Sequence, residues 1–208
     1  MPEASPDDVE ILLAMPSGRR SSFRLVCFPH TLETTASYLA LADLLLPTVE
    51  VLAIRYPGVS TGPQRRIPDT EDLVDRCCAA LSQWTDRPLA VLGHRAGAYL
   101  AYRVAGRLAA EAGAHISVLF AVDRAGPPRT AGEPMLSERV VAVLSDRDAA
   151  AATAAAGWAA CTTGTVDVER VADAQRYLHG DQRALANLIH DELLAAPVAG
   201  APGQEQGR

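Results

Sequence analysis

Short runs of consecutive apolar residues alternate along this chain with stretches whose apolar positions recur at helical spacing. FRLVCF (23–28) is the first run, closed by Pro29, and VEVLAIRY (49–56) is the second, closed by Pro57-Gly58. LAVLG (89–93), ISVLFAVD (116–123) and RVVAVLSD (139–146) follow, with TVDVERVA (165–172) as a weaker sixth. Helices are predicted between and after them at 37–45, 70–84, 96–113 and 183–195. The second helix has Thr70 as its N-cap and acids in its first turn, where they meet the positive end of the helix dipole. A strand with one wet face alternates apolar and polar residues; most of these runs are continuous, so both of their faces are covered. Continuous strands alternating with helices predict an α/β fold with a mostly parallel, doubly wound sheet.

The length and composition narrow the function classes. With 208 residues the chain can bury a real core, so one domain over 1–208 is expected, its core about 23–195. The ends, 1–8 and about 197–208, are expected to be disordered, being polar or rich in Gly, Pro and Ala. A formal charge of −6 offers no basic surface, so no nucleic-acid partner is expected. Cys27, Cys77, Cys78 and Cys161 have neither metal-ligand nor disulfide-framework spacing, and three of them sit among apolar neighbours as small core residues. No metal or cofactor is expected. The first residues have no signal-peptide character and no apolar run approaches a membrane span, so a cytoplasmic protein without membrane contact is expected.

Candidate chemistry lies in LAVLGHRAGAYLAYRVAG (89–106), a strand, a tight turn and a helix. This is the layout of a nucleophile elbow, G-x-S-x-G, in which the central residue projects from a sharp turn. The centre here is Arg95, between Gly93 and Gly97. A guanidinium does not deprotonate in a protein, so it cannot attack a carbonyl.

Five segments, in order, carry a resemblance. LVCFPH (25–30) is similar to a strand and oxyanion loop, and VEVLAIRYPG (49–58) to the strand after it. GHRAGAYLAYRVAGRL (93–108) is similar to the elbow, and LSDRD followed by WAACTTG (144–148, 158–164) to an acid-bearing loop and its sequel. YLHGDQRALANLIHDEL (177–193) is similar to a terminal helix. Over residues 23–195 the chain resembles the type II thioesterases of polyketide and non-ribosomal peptide biosynthesis. The resemblance implies the α/β-hydrolase fold and a Ser–His–Asp triad, in which His takes the serine proton and the acid orients His.

The departures fall on the chemistry. Arg95 stands at the serine position and Gln175 at the histidine position, while Asp148 keeps the acid. Thr31-Leu32-Glu33 replaces the Ala-Gly-Gly of the oxyanion loop, where glycine lets a backbone N–H approach the developing charge. The family's helical lid would lie between Asp123-Arg124-Ala125-Gly126-Pro127 and the strand at 139–146, and only the short stretch 128–138 remains, so the lid is expected to be absent.

The candidate catalytic residues are therefore Arg95, Asp148 and His30, with His94, Ala96, Thr31, Glu33, Asp123 and Gln175 as candidates for substrate contact. Each has a plainer alternative. Arg95 is either a fixed cation for a carboxylate, enolate or phosphate, or one half of a salt bridge to Asp148 or Glu33 that fills a dead pocket. Asp148 is a base or that salt-bridge partner, and Asp123 lines the cleft or caps a turn. His30 is expected at the mouth of the cleft and His94 in the interior. His179 and His190 are expected at the surface; Cys27, Tyr99 and Tyr102 are expected in the core.

Three functions stay open. The first is a non-hydrolytic step, such as cyclisation, dehydration or isomerisation, on a small-molecule or carrier-tethered acyl intermediate. The second is a non-catalytic partner of a carrier protein or biosynthetic enzyme. The third is residual thioester hydrolysis with water activated by Asp148. A missing lid would leave apolar surface for a second copy to cover, so a homodimer is a possible assembly.

Overall fold

A computed structural model describes residues 9–14, 21–30, 32–56, 71–127, 135–145, 151–171 and 182–195. Seven strands form one sheet in the order β1-β3-β2-β4-β5-β6-β7. They are β1 (Glu10–Ala14), β2 (Phe23–Phe28), β3 (Val49–Arg55), β4 (Leu89–His94), β5 (Ile116–Val122), β6 (Arg139–Ser145) and β7 (Val166–Val171). β2 to β7 pair in parallel, and β1 runs antiparallel to β3 at the edge. The helices are α1 (Leu32–Leu45), α2 (Glu71–Leu81), α3 (Ala96–Ala112), α4 (Ala151–Ala159) and α5 (Arg183–Ala195).

The apolar runs became strands because both of their faces are buried. One core layer joins Val26, Leu52, Val91, Leu119 and Val140 of the sheet to Leu73 and Cys77 of α2, Leu100 and Val104 of α3, and Trp158 of α4. The opposite layer joins Leu25, Val51, Leu92, Phe120 and Val141 to Tyr38 and Leu41 of α1 and Leu185 and Ile189 of α5. Helices therefore cover both faces, as the continuous runs required. The α/β reading and its mostly parallel sheet are confirmed.

Two elements are new and one is longer than its apolar pattern indicated. β1 was not predicted; it is an edge strand held by one neighbour, with Glu10 opposite Arg55 and ion-paired to it. α4, AATAAAGWA, has no polar face, so its apolar positions show no helical period, although alanine is the strongest helix former. α1 starts at Leu32, five residues before the predicted 37, because its first turns carry no apolar spacing. His190 was expected at the surface but is half-buried, with Nε2 3.4 Å from the Leu45 carbonyl oxygen. The expected terminal disorder, His179 and Thr70 lie outside the described residues, as do residues 128–134, which hold most of the stretch expected in place of the lid.

The topology fixes where a site forms. From β2 the chain crosses through α1 to β3 on one side, then returns past β2 to β4 and continues outward to β5, β6 and β7. The connections leaving β2 and β4 therefore diverge onto opposite faces. In an open α/β sheet such a reversal opens a crevice at the carboxyl ends of the two strands. His30 follows β2, and Arg95 follows β4.

Candidate functional site

The elbow is as sharp as its glycines imply. A Cβ on Gly93 would lie 2.2 Å from the Ala98 Cα, and one on Gly97 would lie 2.2 Å from the Phe28 carbonyl oxygen. Both positions are thus closed to any side chain, because backbone occupies the space on each side. α3 can then start directly behind β4 and pass close over β2. Arg95, between the strand and the helix, has φ 50° and ψ −115°. A non-glycine residue there stores about 1–3 kcal/mol of backbone strain. Its amide N–H donates to the Val122 carbonyl (2.9 Å) and its carbonyl accepts from the Ala98 amide (3.1 Å), which pins the turn.

The Arg95 side chain reaches the end of the neighbouring strand. Its Nε–H donates to Asp123 Oδ2 at 2.7 Å. Asp123 is the turn residue after β5 and also has a positive φ, 52°. Its amide donates to the Val143 carbonyl of β6 at 2.9 Å. The two side chains differ in exposure: Asp123 retains 12% of its accessible area, Arg95 40%. The carboxylate is the buried anchor and the guanidinium the half-open group in front of it.

A second layer holds the Asp123 turn. Trp158 of α4, fully buried, donates its indole N–H to the Arg124 carbonyl at 3.0 Å. Gly126 and Gly157 meet backbone to backbone; a Cβ on Gly126 would lie 2.1 Å from the Gly157 carbonyl carbon. Trp158 also packs edge-on against Tyr102 of α3, with ring centroids 6.1 Å apart. α4 and α3 thereby grip the two turns that carry Asp123 and Arg95. In the WAACTTG segment, Thr162 Oγ1 donates to the Glu138 carbonyl at 2.6 Å, which fastens the chain entering β6. Trp158 and Thr162 were visible in the sequence only as part of a matched segment; their roles appear once α4 and the β6 entry are placed.

The structure brings together Arg95, Asp123, His94 and His30. His94, the last residue of β4, is 7% exposed, in the interior as expected. Its ring stands edge-to-face against that of His30, centroids 6.1 Å apart. His30 is half-buried, and the loop before it is held by the Tyr56 hydroxyl, which donates to the Pro29 carbonyl (3.2 Å). Ala96 opens α3 beside the guanidinium, and Glu33 falls in the first turn of α1. Thr31, Asp148 and Gln175 lie outside the described residues. One of the two readings of Arg95 was a bridge to Asp148 or Glu33, but Asp148 and the Glu33 side chain lie outside the described residues; among the described residues the carboxylate bonded to Arg95 is Asp123, 28 residues along the chain. Asp123 had been singled out only as a cleft-lining or turn-capping residue. Adjacent parallel strands deliver their terminal residues side by side, which is why the pair forms.

Cys27, Cys77 and Cys78 offer no substitute nucleophile. Cys27 lies inside β2, and burial pushes its ionisation well above the usual thiol range. Burial raises Cys77 to about 12 and Cys78 to about 11. Such groups stay protonated and unreactive at neutral pH. Tyr102 is fully buried and Tyr99 half-buried against it, as core residues. Among the described residues, no group of three or more His, Cys, Asp or Glu could hold a metal ion.

The fold and elbow can now be set beside known proteins. The model of the Thioesterase domain family matches residues 23–146, more than half of the chain. The chain belongs to the thioesterase family. It is 32% identical over 163 residues to a probable cadicidin biosynthesis thioesterase of Streptomyces griseus, a match covering 78% of this chain and 43% of that protein. It is 30% identical over 129 residues to thioesterase PikA5 of Streptomyces venezuelae, covering 61% of this chain and 44% of that protein. The chain thus spans less than half the length of these two relatives. Two solved structures share the fold: the type II thioesterase BorB of the borrelidin cluster (TM-score 0.71, 20% identity, 88% of this chain and 97% of that one) and RedJ of the Streptomyces coelicolor prodiginine pathway (TM-score 0.70, 19% identity, 86% and 91%). This thioesterase-family chain therefore has the α/β-hydrolase architecture, with Arg95 at the centre of its strand–turn–helix elbow. Among the described residues, no helix is long and apolar enough to cross a membrane.

Proposed function

We propose that this chain is a thioesterase-like protein of natural-product biosynthesis that works without an acyl-enzyme. It takes up a small-molecule or carrier-tethered acyl intermediate non-covalently and promotes a non-hydrolytic step such as cyclisation, dehydration or isomerisation. The Arg95–Asp123 pair at the elbow carries this reading. The position that would form the ester bond holds a cation with no nucleophilic electron pair, and burial keeps the thiols of Cys27, Cys77 and Cys78 protonated. What the elbow retains is a placed positive charge and a carboxylate, which suffice for orientation and charge stabilisation but not for acyl transfer.

Retention of strain supports a working site. Arg95 and Asp123 both hold positive φ, a costly arrangement that surrounding structure must enforce and that clusters at functional sites. A second reading, a non-catalytic binding partner of a carrier protein or biosynthetic enzyme, draws support from the closure of the ion pair itself, which commits the Nε–H of Arg95 to Asp123.

The test has two parts. Purified protein is incubated with acyl N-acetylcysteamine thioesters while released thiol is followed colorimetrically; the expected rate equals that of buffer. Thiol release dependent on the protein would overturn the non-hydrolytic reading. The gene is then deleted in its host and complemented with wild type, Arg95→Ala, Asp123→Ala and Asp148→Ala while metabolites are profiled. An accumulating intermediate that wild type clears and Arg95→Ala and Asp123→Ala do not clear supports a catalytic site. Full rescue by both variants favours the binding partner.

A further inference from the structure

We propose that the acyl intermediate received at the elbow bears its own carboxylate, and that the Arg95 guanidinium, held from behind by Asp123, recognises it. This rests on the non-covalent acyl-binding reading above and adds the chemical class of the ligand.

The exposure of the pair is the starting point. An arginine that merely fills an abandoned pocket would be buried around its ion pair. Arg95 instead retains 40% of its side-chain area, while Asp123 retains 12%. Arg95 also holds a φ of 50° that costs backbone strain. A group that pays neither in burial nor in backbone comfort needs a return from elsewhere.

Geometry gives that return a chemical form. A guanidinium carries five N–H donors in a planar fork, and the bond to Asp123 uses Nε–H. A single carboxylate bonded at Nε fixes the plane of the fork, so a ligand binding it orders less side-chain freedom. The anchor is itself fixed: its amide is bonded to Val143, and the next carbonyl, that of Arg124, accepts the Trp158 indole N–H. A planar anion with two oxygens is the partner a fixed fork selects. The α3 N-terminus beside Ala96 adds positive potential of the same sense. In an open α/β sheet, connections that diverge as those of β2 and β4 do favour a crevice outside the strands' carboxyl ends, where the rest of the acyl chain would lie.

The experiment compares glutaryl N-acetylcysteamine with its monomethyl ester by isothermal titration on the full chain, with free glutarate as a third ligand. The glutaryl thioester is expected to bind at least about tenfold more tightly than the ester, as loss of a charge-assisted bidentate bond implies. Arg95→Gln is expected to erase the difference and Arg95→Lys to shrink it, because an ammonium lacks the fork. Asp123→Asn, in a residue type that tolerates positive φ, is expected to weaken the preference while circular dichroism stays unchanged. Equal binding of thioester and ester overturns this inference and leaves the non-covalent acyl-binding reading standing. Binding of neither overturns both. Free glutarate binding as tightly as its thioester overturns the acyl-borne source in favour of a free dicarboxylate. A preference that survives in Arg95→Gln removes Arg95 from the recognition.

Discussion

Replacing Arg95 by alanine and by glycine separates what its side chain does from what its backbone endures. Both variants lose the bond to Asp123, so the difference between them cancels the ion pair. What remains is the conformation, φ 50° and ψ −115°, which alanine tolerates poorly and glycine readily. Relief of the strain is worth about 1–3 kcal/mol. Against this, glycine widens the unfolded ensemble at a cost of about 0.4–1 kcal/mol. The glycine variant is therefore expected to be more stable than the alanine variant by about 1 kcal/mol, or about 2–4 °C in Tm for a domain of this size. Urea unfolding monitored through Trp84 and Trp158 fluorescence reads the difference directly. An alanine variant as stable as the glycine variant would refute the reasoning, because residue 95 would then not be held in the elbow conformation. The same two proteins bear on the function: neither is expected to release thiol from a thioester, since neither carries a nucleophile.

Other consequences of the packing can be checked alongside. Gly97→Ala forces a Cβ to within 2.2 Å of the Phe28 carbonyl oxygen and is expected to destabilise the fold by about 1–3 kcal/mol or more in urea unfolding, since backbone must move on both sides. Gly113→Ala meets no atom within 4 Å but sits at φ 61°, so its cost is expected to be only the strain, about 1 kcal/mol. Trp158→Phe keeps the ring against Tyr102 but removes the donor to Arg124, a loss of about 1 kcal/mol in stability. Glu192, beside Arg139, has its ionisation raised chiefly by burial. A raised acid binds its proton more tightly in the folded state, so its contribution is fully present below the ordinary value of 4.5 and is lost as pH rises from there through the folded value. Glu192→Gln is therefore expected to flatten the fall in stability over that window in a pH series of urea midpoints; an unchanged slope would remove Glu192 as its source.

Residues near one another in sequence declared most of this molecule. The continuous runs of β2 to β6 demanded burial on both faces, and the helices between them supplied it, because a run without polar alternation has no wet side. Gly93 and Gly97 marked the elbow for the same local reason: strand, turn and helix there lie within a few residues, and backbone leaves no room for a Cβ. The family resemblance placed Arg95 and Gln175 where a serine and a histidine are expected, and Gln175 lies outside the described residues. Elements whose stability comes from elsewhere were not legible. β1 depends on pairing with β3, and α4 hides its amphipathic signal in a run of alanines. Least legible was the partner of Arg95. The sequence offered several carboxylates, and nothing local distinguished them. Asp123 lies beside Arg95 because β5 lies beside β4, with both turns at the same end of the sheet and the Asp123 turn clamped by Trp158. The sequence by itself settled that the elbow has no nucleophile; only the order of the strands decided which carboxylate meets the cation, because that contact joins residues whose distance in the chain says nothing about their distance in space.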